Sequence, residues 1–214
     1  MSKTLLETIN LRKNYEHVNG NINLFNNLNI KIKQGDLVAL VGPSGSGKSS
    51  LLHLLALLDE PTKGDIKINN VFTNKFDDRE KDEVRRKNIS IIFQDNNLLN
   101  DFTAIENVMM PLIIKGVDIE NAKNKAKIIL KTIKILDRSQ HFPKELSGGE
   151  QQRVAIARAI IAETNIILAD EPTGNLDFKT SKEIFSYFLK LKKLKKTIIF
   201  ATHNRELANR ADYK

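Results

Sequence analysis

The stretch Gly42-Pro-Ser-Gly-Ser-Gly-Lys-Ser49 constrains this chain more than any other part of it. It fits the pattern G-x-x-x-x-G-K-[ST], and its setting fits as well. Leu37–Val41 before it is a short apolar run of the kind a buried strand needs, and the leucine-rich run 49–58 after it reads as a helix. The glycines let the backbone curl so that successive N–H groups face phosphate oxygens. A lysine at this place neutralises β and γ phosphates, and a hydroxyl beside it reaches Mg²⁺. Gly42, Pro43, Ser44, Gly45, Ser46, Gly47, Lys48, Ser49 and Ser50 are therefore assigned to a nucleoside triphosphate, with Ser49 also on the metal.

A phosphate loop of this type needs strands around it, and the chain supplies them. Thr4–Leu11 and Leu28–Lys33 alternate apolar and polar residues, as half-exposed strands do. Leu37–Val41, Ile89–Phe93, Ile166–Ala169 and Thr197–Ala201 are short and wholly apolar, as strands buried on both faces are. Such strands belong to a mainly parallel sheet, which binds ligands beyond its C-terminal strand ends. The residues just past these ends are Gly42, Gln94, Asp170–Glu171 and His203, so polar chemistry is expected along one edge. Between Gln94 and Leu146 the texture turns helical, with Ala122, Ala126, Ile129, Ile133 and Leu136 at three- and four-residue steps over 120–136. We expect one domain over 1–214, with a nucleotide-binding core of 1–76 and 161–214 and a helical insert of 77–160.

Composition excludes several classes. The 214 residues contain no cysteine, which rules out disulfides and thiolate metal sites. No apolar run approaches the ~20 residues a membrane helix needs. The N-terminal residues lack a signal-peptide pattern, so a soluble chain is expected. The formal charge of +8 suits an anionic partner, but the lysines are scattered apart from 190–196, where leucines at helical spacing indicate a solvated helix face. No nucleic-acid partner is expected.

Each strand end carries its own chemistry. Asp170, at the end of a buried strand, is suited to the metal, and Glu171 is placed to accept a proton from an attacking water. Alone, such a pair is usually a solvated loop; beside a phosphate loop the reading reverses. Gln94 could orient water and ligate Mg²⁺, and His203 could touch a γ-phosphate. His17, His53 and His141 have no such setting and read as structural or exposed. Tyr15 could stack on a purine, although an isolated tyrosine among strands more often packs. Ser147, Gly148 and Gly149 open a helix-like run and form a second set of exposed N–H groups.

Together these residues resemble the ATP-binding-cassette (ABC) ATPases, nearly throughout the chain. The signature of that family, LeuSerGlyGlyGln, is matched by LeuSerGlyGlyGlu at 146–150; its Q-loop by Gln94, its switch histidine by His203, its D-loop by Asn175–Asp177 and its adenine-stacking aromatic by Tyr15. The resemblance implies an α/β P-loop NTPase fold with a mainly parallel core sheet, an N-terminal antiparallel β region and a helical insert. It also implies catalytic roles for Glu171, His203, Gln94 and Lys48, magnesium on Ser49, Gln94 and Asp170, and ATP as the nucleotide. Ser147, Gly148 and Gly149 would bind the ATP of a second copy of the chain.

The segments 51–64, 97–111 and 146–159, with Asp170–Asp177, are similar to the branch of macrolide-exporter, cell-division and lipoprotein-releasing ATPases, closest to the last. That implies an ATPase on the cytoplasmic face of the inner membrane, held by integral permease subunits through about 97–114 and powering lipoprotein release. Leu98, Leu99, Phe102, Met109 and Met110 are the expected docking side chains, with insert core as the competing reading. A macrolide or cell-division complex is the alternative. A small-molecule kinase would need no LeuSerGlyGlyGlu stretch, and nucleic-acid-associated relatives bring coiled coils or tandem cassettes for which 214 residues leave no room. Asn204 stands where the family usually has an aspartate, and the resembling proteins continue past the position of Lys214.

Overall fold

The computed structural model describes residues 3–15, 20, 22–174 and 176–214. His17 and Asn175 lie outside the described residues. Strands β1 (Thr4–Tyr15), β2 (Ile22–Lys33), β4 (Lys63–Ile68) and β5 (Val71–Phe72) form an antiparallel sheet in the order β2-β1-β4-β5. Strands β3 (Leu37–Leu40), β6 (Ile89–Ile92), β7 (Ile166–Asp170) and β8 (Thr197–Ala201) form a parallel sheet in the order β3-β8-β7-β6. Helices α1 (Lys48–Leu55), α2 (Asp78–Asn88), α3 (Ala104–Ile114), α4 (Ile119–Thr132), α5 (Gly148–Ile161), α6 (Phe178–Lys193) and α7 (Arg205–Ala208) complete the fold.

The apolar strands have no polar face because the sheet has a core on each side. On β7, Ile167 and Ala169 enter one core while Ile166 and Leu168 enter the other. On β8, Ile198 and Phe200 part from Ile199 and Ala201 in the same way. This is the two-residue alternation of a strand with both faces dry. The first core takes in α3, α4, α5 and α6; the second packs the sheet against α1 and the antiparallel sheet. A wedge of three rings, Phe185, Phe188 and Phe200, joins α6 to β8, with the Phe185–Phe200 centroids 5.4 Å apart and nearly edge-on.

The helical region differs from expectation in its limits. The expected insert of 77–160 takes in β6, yet β6 pairs in register with β7, Ile89 opposite Ile166 through Ile92 opposite Ala169. The helical layer of α3–α5 therefore begins only after that strand. The helix expected to reach Leu136 stops at Thr132, because Lys134 turns left-handed at φ +61°. Ala122, Ala126, Leu130 and Ile133 line its buried side. Of the lysine-rich run, Leu191 is buried and Leu194 is 70% exposed, since α6 ends at Lys193 before its next turn closes.

The docking side chains expected on 97–114 also divide. Met109 is 8% exposed and lies in the first core, and Leu98 packs partly against it, so Met109 belongs to the core. Leu99 and Phe102 are exposed at the turn before α3. Met109→Ala should therefore cost about 2–5 kcal/mol of stability, whereas Phe102→Ser should cost under about 1 kcal/mol. Urea unfolding followed by circular dichroism measures both; equal losses would contradict this division.

Candidate active site

The order β3-β8-β7-β6 sets four functional segments side by side. The Gly42–Ser49 loop follows β3, His203 follows β8, Asp170–Glu171 closes β7 and Gln94 follows β6. Neighbouring strands lie ~4.8 Å apart, so the four ends span about 14 Å, a suitable width for a nucleotide triphosphate.

Helix α1 shows what the loop is made for. The other six α-helices each begin at a side-chain cap: Asp77, Thr103, Asp118, Ser147, Asp177 and Asn204. At α1 the cap position is Gly47, at φ +89°, with no side-chain acceptor and no acidic residue in the first turn. The N–H groups and positive dipole end of this helix are thus left for an external anion. Gly42 is required for a different reason, since a Cβ there would come within 2.6 Å of Ser46 Oγ. The Lys48 ammonium donates to the carbonyls of Gly42 (2.9 Å) and Pro43 (3.0 Å), inside the curl of the loop.

At the end of β7, Asp170 is buried and its Oδ1 has no hydrogen-bond partner; neither has the buried Oε2 of Glu171. Buried polar atoms are nearly always paired, so two orphaned carboxylate oxygens beside the phosphate loop fit a cation and a reacting water. Glu171 sits at φ +43°, a conformation uncommon for a residue with a Cβ. His203 Nδ1 donates to Glu171 Oε1 at 3.0 Å, which leaves Oε2 as the free oxygen. Asn204 caps α7 by accepting from the N–H groups of Glu206 and Leu207. That task needs only an amide oxygen, which accounts for an asparagine beside His203.

The two sets of N–H groups stand apart. Gly42 and Pro43 line a cavity of about 630 Å³ with His203 and Arg205. Gly148 lines a different one, about 240 Å³, with Gln94, Asn96, Gln152 and Glu171. Ser147 is tied within its own chain: its hydroxyl donates to Glu150 Oε2 (2.9 Å), its N–H donates to the same oxygen (2.8 Å), and its Oγ accepts from the Glu150 N–H. The S-x-x-E spacing of this capping box is legible in the sequence. The other Glu150 oxygen accepts from Arg138 Nε at 3.0 Å.

Tyr15 is exposed at the hairpin end of β1. Its hydroxyl donates to Asp59 Oδ2 at 3.0 Å, and Lys13 lies 4.6 Å from one ring face. It pairs with Ile22, two residues from Leu24, whose Cβ would be 3.4 Å from a Cβ on Gly47. The brace formed by Lys13 and Asp59 had no signal in the sequence, because the partners are 46 residues apart. His53 packs against Phe93 with ring centroids 6.3 Å apart, and His141 rests on Arg138.

A parallel sheet with a phosphate loop, an orphaned Asp-Glu pair and a histidine on the glutamate defines a P-loop ATPase. The family model for the ABC transporter matches residues 25–174, and the chain belongs to that family as its ATPase cassette. The "Lipoprotein-releasing system ATP-binding protein LolD" of Rickettsia bellii is 47% identical over 99% of this chain and 94% of its own length. That of Legionella pneumophila is 40% identical over the same shares. An ABC transporter ATP-binding protein of Thermotoga maritima is 43% identical over 97% of this chain and 88% of its own. A dimeric ATP-binding cassette in a post-hydrolysis state, bound to ADP and Pi, superposes with a TM-score of 0.93 at 40% identity, covering 98% of this chain and 94% of that one.

The capping box yields a pH test. Hydrogen bonding from the Ser147 N–H holds the Glu150 carboxyl below its ordinary value against the opposing effect of burial, helped by the Ser147 hydroxyl and Arg138. A lowered folded-state value stabilises above the unfolded value and is lost as pH falls through the folded one. Glu150→Gln keeps an acceptor for the Ser147 N–H but loses the charge, so it should cost about 1 kcal/mol or less at pH 7. The gap between the two proteins in urea midpoint should close as pH falls through the lowered value of Glu150; a gap independent of pH would remove the charge from the box.

Proposed function

We propose that this chain is the ATP-hydrolysing subunit of a membrane complex that releases lipoproteins from the bacterial inner membrane toward the outer one. The observation that carries the chemistry is the uncapped α1 N-terminus lying at the same sheet edge as the orphaned oxygens of Asp170 and Glu171. The cargo rests on the relatives named for lipoprotein release, which match nearly the whole chain. The whole chain is read as one ATPase domain, with its helical part starting after β6.

The roles follow from the positions. N–H groups of the Gly42–Ser50 stretch receive phosphate oxygens, and Lys48 exchanges its two loop carbonyls for the β and γ oxygens. Ser49, Gln94 and Asp170 would hold Mg²⁺, which neutralises charge on the phosphates. Glu171 takes the proton of the attacking water on Oε2 while Oε1 stays tied to His203, which orients the base and reaches the γ-phosphate. Tyr15, with Lys13 on one face, offers the other to adenine. Catalysis of this kind is mostly positioning and electrostatics.

Ser147, Gly148 and Gly149 serve the ATP of a second copy. The dimeric state of the cassette on which this chain superposes supports this. A head-to-tail pair with two-fold symmetry makes both sites alike. The permease docks through about 97–114, where Leu99 and Phe102 are exposed and Asn97, Pro111 and Ile114 line a groove of about 370 Å³ between α2, β6, α3 and α5. Among the described residues no helix is long and apolar enough to cross a membrane, so the chain is held at the cytoplasmic face by that partner.

Glu171→Gln should retain ATP while slowing turnover by roughly 10²–10⁴. With cysteines at Ser46 and Ser147 in that background, a short bis-thiol linker should give covalent dimers with ATP and few without it. Disulfides need Cα atoms within about 7 Å, and a bound phosphate holds these two somewhat further apart. Cross-links confined to single chains would sink the two-copy site.

Detergent extracts of the native membranes should yield an integral permease pair with the tagged chain, and Phe102→Glu should lose that pair while basal hydrolysis stays within about twofold. Recovery of a macrolide-exporter or cell-division permease instead would overturn the cargo and leave the ATPase intact.

A further inference from the structure

Arg158, on the third turn of α5, is the one long side chain of the signature helix that grips the segment after Gln94. Its Nη1 donates to the Asn97 carbonyl and its Nη2 to the Asn96 carbonyl, both at 2.7 Å. The guanidinium is partly buried, and that burial lowers its proton affinity. A cation that faces two main-chain carbonyls holds backbone in place.

The gripped segment is a tight turn. Asn96 and Asn97 are left-handed at φ +60° and +44°, and their N–H groups donate back to Phe93 (3.1 Å) and Asp95 (2.7 Å). Asparagine takes this conformation more readily than most residues with a Cβ, and Asn69–Asn70 hold it as well. In this conformation both carbonyls face the Arg158 fork. Gln94 lies two residues upstream, on the rim of the cavity that holds Glu171 and Gly148. Within that lining, Asn96 Oδ1 and Gln152 Nε2 are buried without partners. One is an acceptor on the turn and the other a donor on α5.

We propose that Arg158 is a positioning residue that fixes the Gln94–Asn97 turn to α5, so that the helix carrying Ser147–Gly149 sets where Gln94 points. The proposal rests on the reading of Gln94 as a ligand of Mg²⁺ and the reacting water. Ten residues of helix, about 15 Å, separate Gly148 from Arg158. A shift of α5 at its N-terminal end is thus transmitted as a rigid displacement to the turn. Lysine is no substitute, because an ammonium lacks the planar fork that spans two carbonyls.

The test is a double-mutant cycle on ATP turnover by the purified chain, with Arg158→Gln, Arg158→Lys and Gln94→Ala. Arg158→Gln should lower kcat about 10- to 100-fold and raise the Mg²⁺ concentration needed both for half-maximal rate and for half-maximal binding of a fluorescent non-hydrolysable ATP analogue, with KM for ATP within about twofold. Arg158→Lys should fall between it and the parent, and it carries the test if the glutamine variant does not fold. In the Gln94→Ala background, either Arg158 change should cost less than about a further twofold, because its target is gone. Equal losses in both backgrounds, or loss of ATP affinity with an unchanged Mg²⁺ requirement, would overturn the positioning role while leaving Gln94 in its place. An unaffected rate in Gln94→Ala alone would instead remove Gln94 from the chemistry, and the proposal with it.

Discussion

Parallel strands cannot be joined by tight turns, and that constraint shapes everything else in this molecule. Each of β3, β6, β7 and β8 must return to the same end of the sheet before the next can begin, so each connection carries a helix. Those helices cover the sheet on both sides, which makes the strands apolar on both faces. The same geometry leaves four C-terminal ends at one edge, where backbone groups are no longer used by the ladder. The loop after β3, the acids after β7, the histidine after β8 and the glutamine after β6 come together for that reason.

Polar groups at this edge are unfinished in a way the rest of the structure is not. Among the described residues six helices close their first turns with side chains of their own, and only α1 has a glycine at the cap position. Buried side-chain atoms without partners among the described residues are few, and the four found are on Asn96, Gln152, Asp170 and Glu171. All four residues belong to the sheet edge or its adjoining cavity. Desolvated, unpaired oxygens and N–H groups destabilise a fold, so their concentration at one place marks where an anion and a cation are to be received.

The helical layer of α3–α5 packs on the sheet through the first core, and long side chains tie it further to its surroundings. Arg153 reaches Glu183 on α6 at 2.6 Å and the Ile133 carbonyl at 3.3 Å, and Arg158 reaches the turn after β6. Contacts of this kind are few and directional, unlike the continuous packing of the two cores.

Much of this was legible in the sequence because it is local. The loop, the wholly apolar strands, the acids at a strand end and the S-x-x-E box are patterns within a few residues, where spacing alone dictates which groups share a face or a turn. Strand ends such as Thr197–Ala201 were readable because a strand stops where its apolar run does. The membership of β6 in the sheet, the burial of Met109 against the exposure of Phe102, the hold of His203 on Glu171 and that of Arg158 on Asn96 and Asn97 were decided only by the tertiary structure. Each depends on residues 32 to 77 positions apart, and hydrophobic patterning states which side of an element is dry without stating what covers it. Local sequence therefore determined the chemistry available to this protein, and the packing of distant segments decided which of those groups meet.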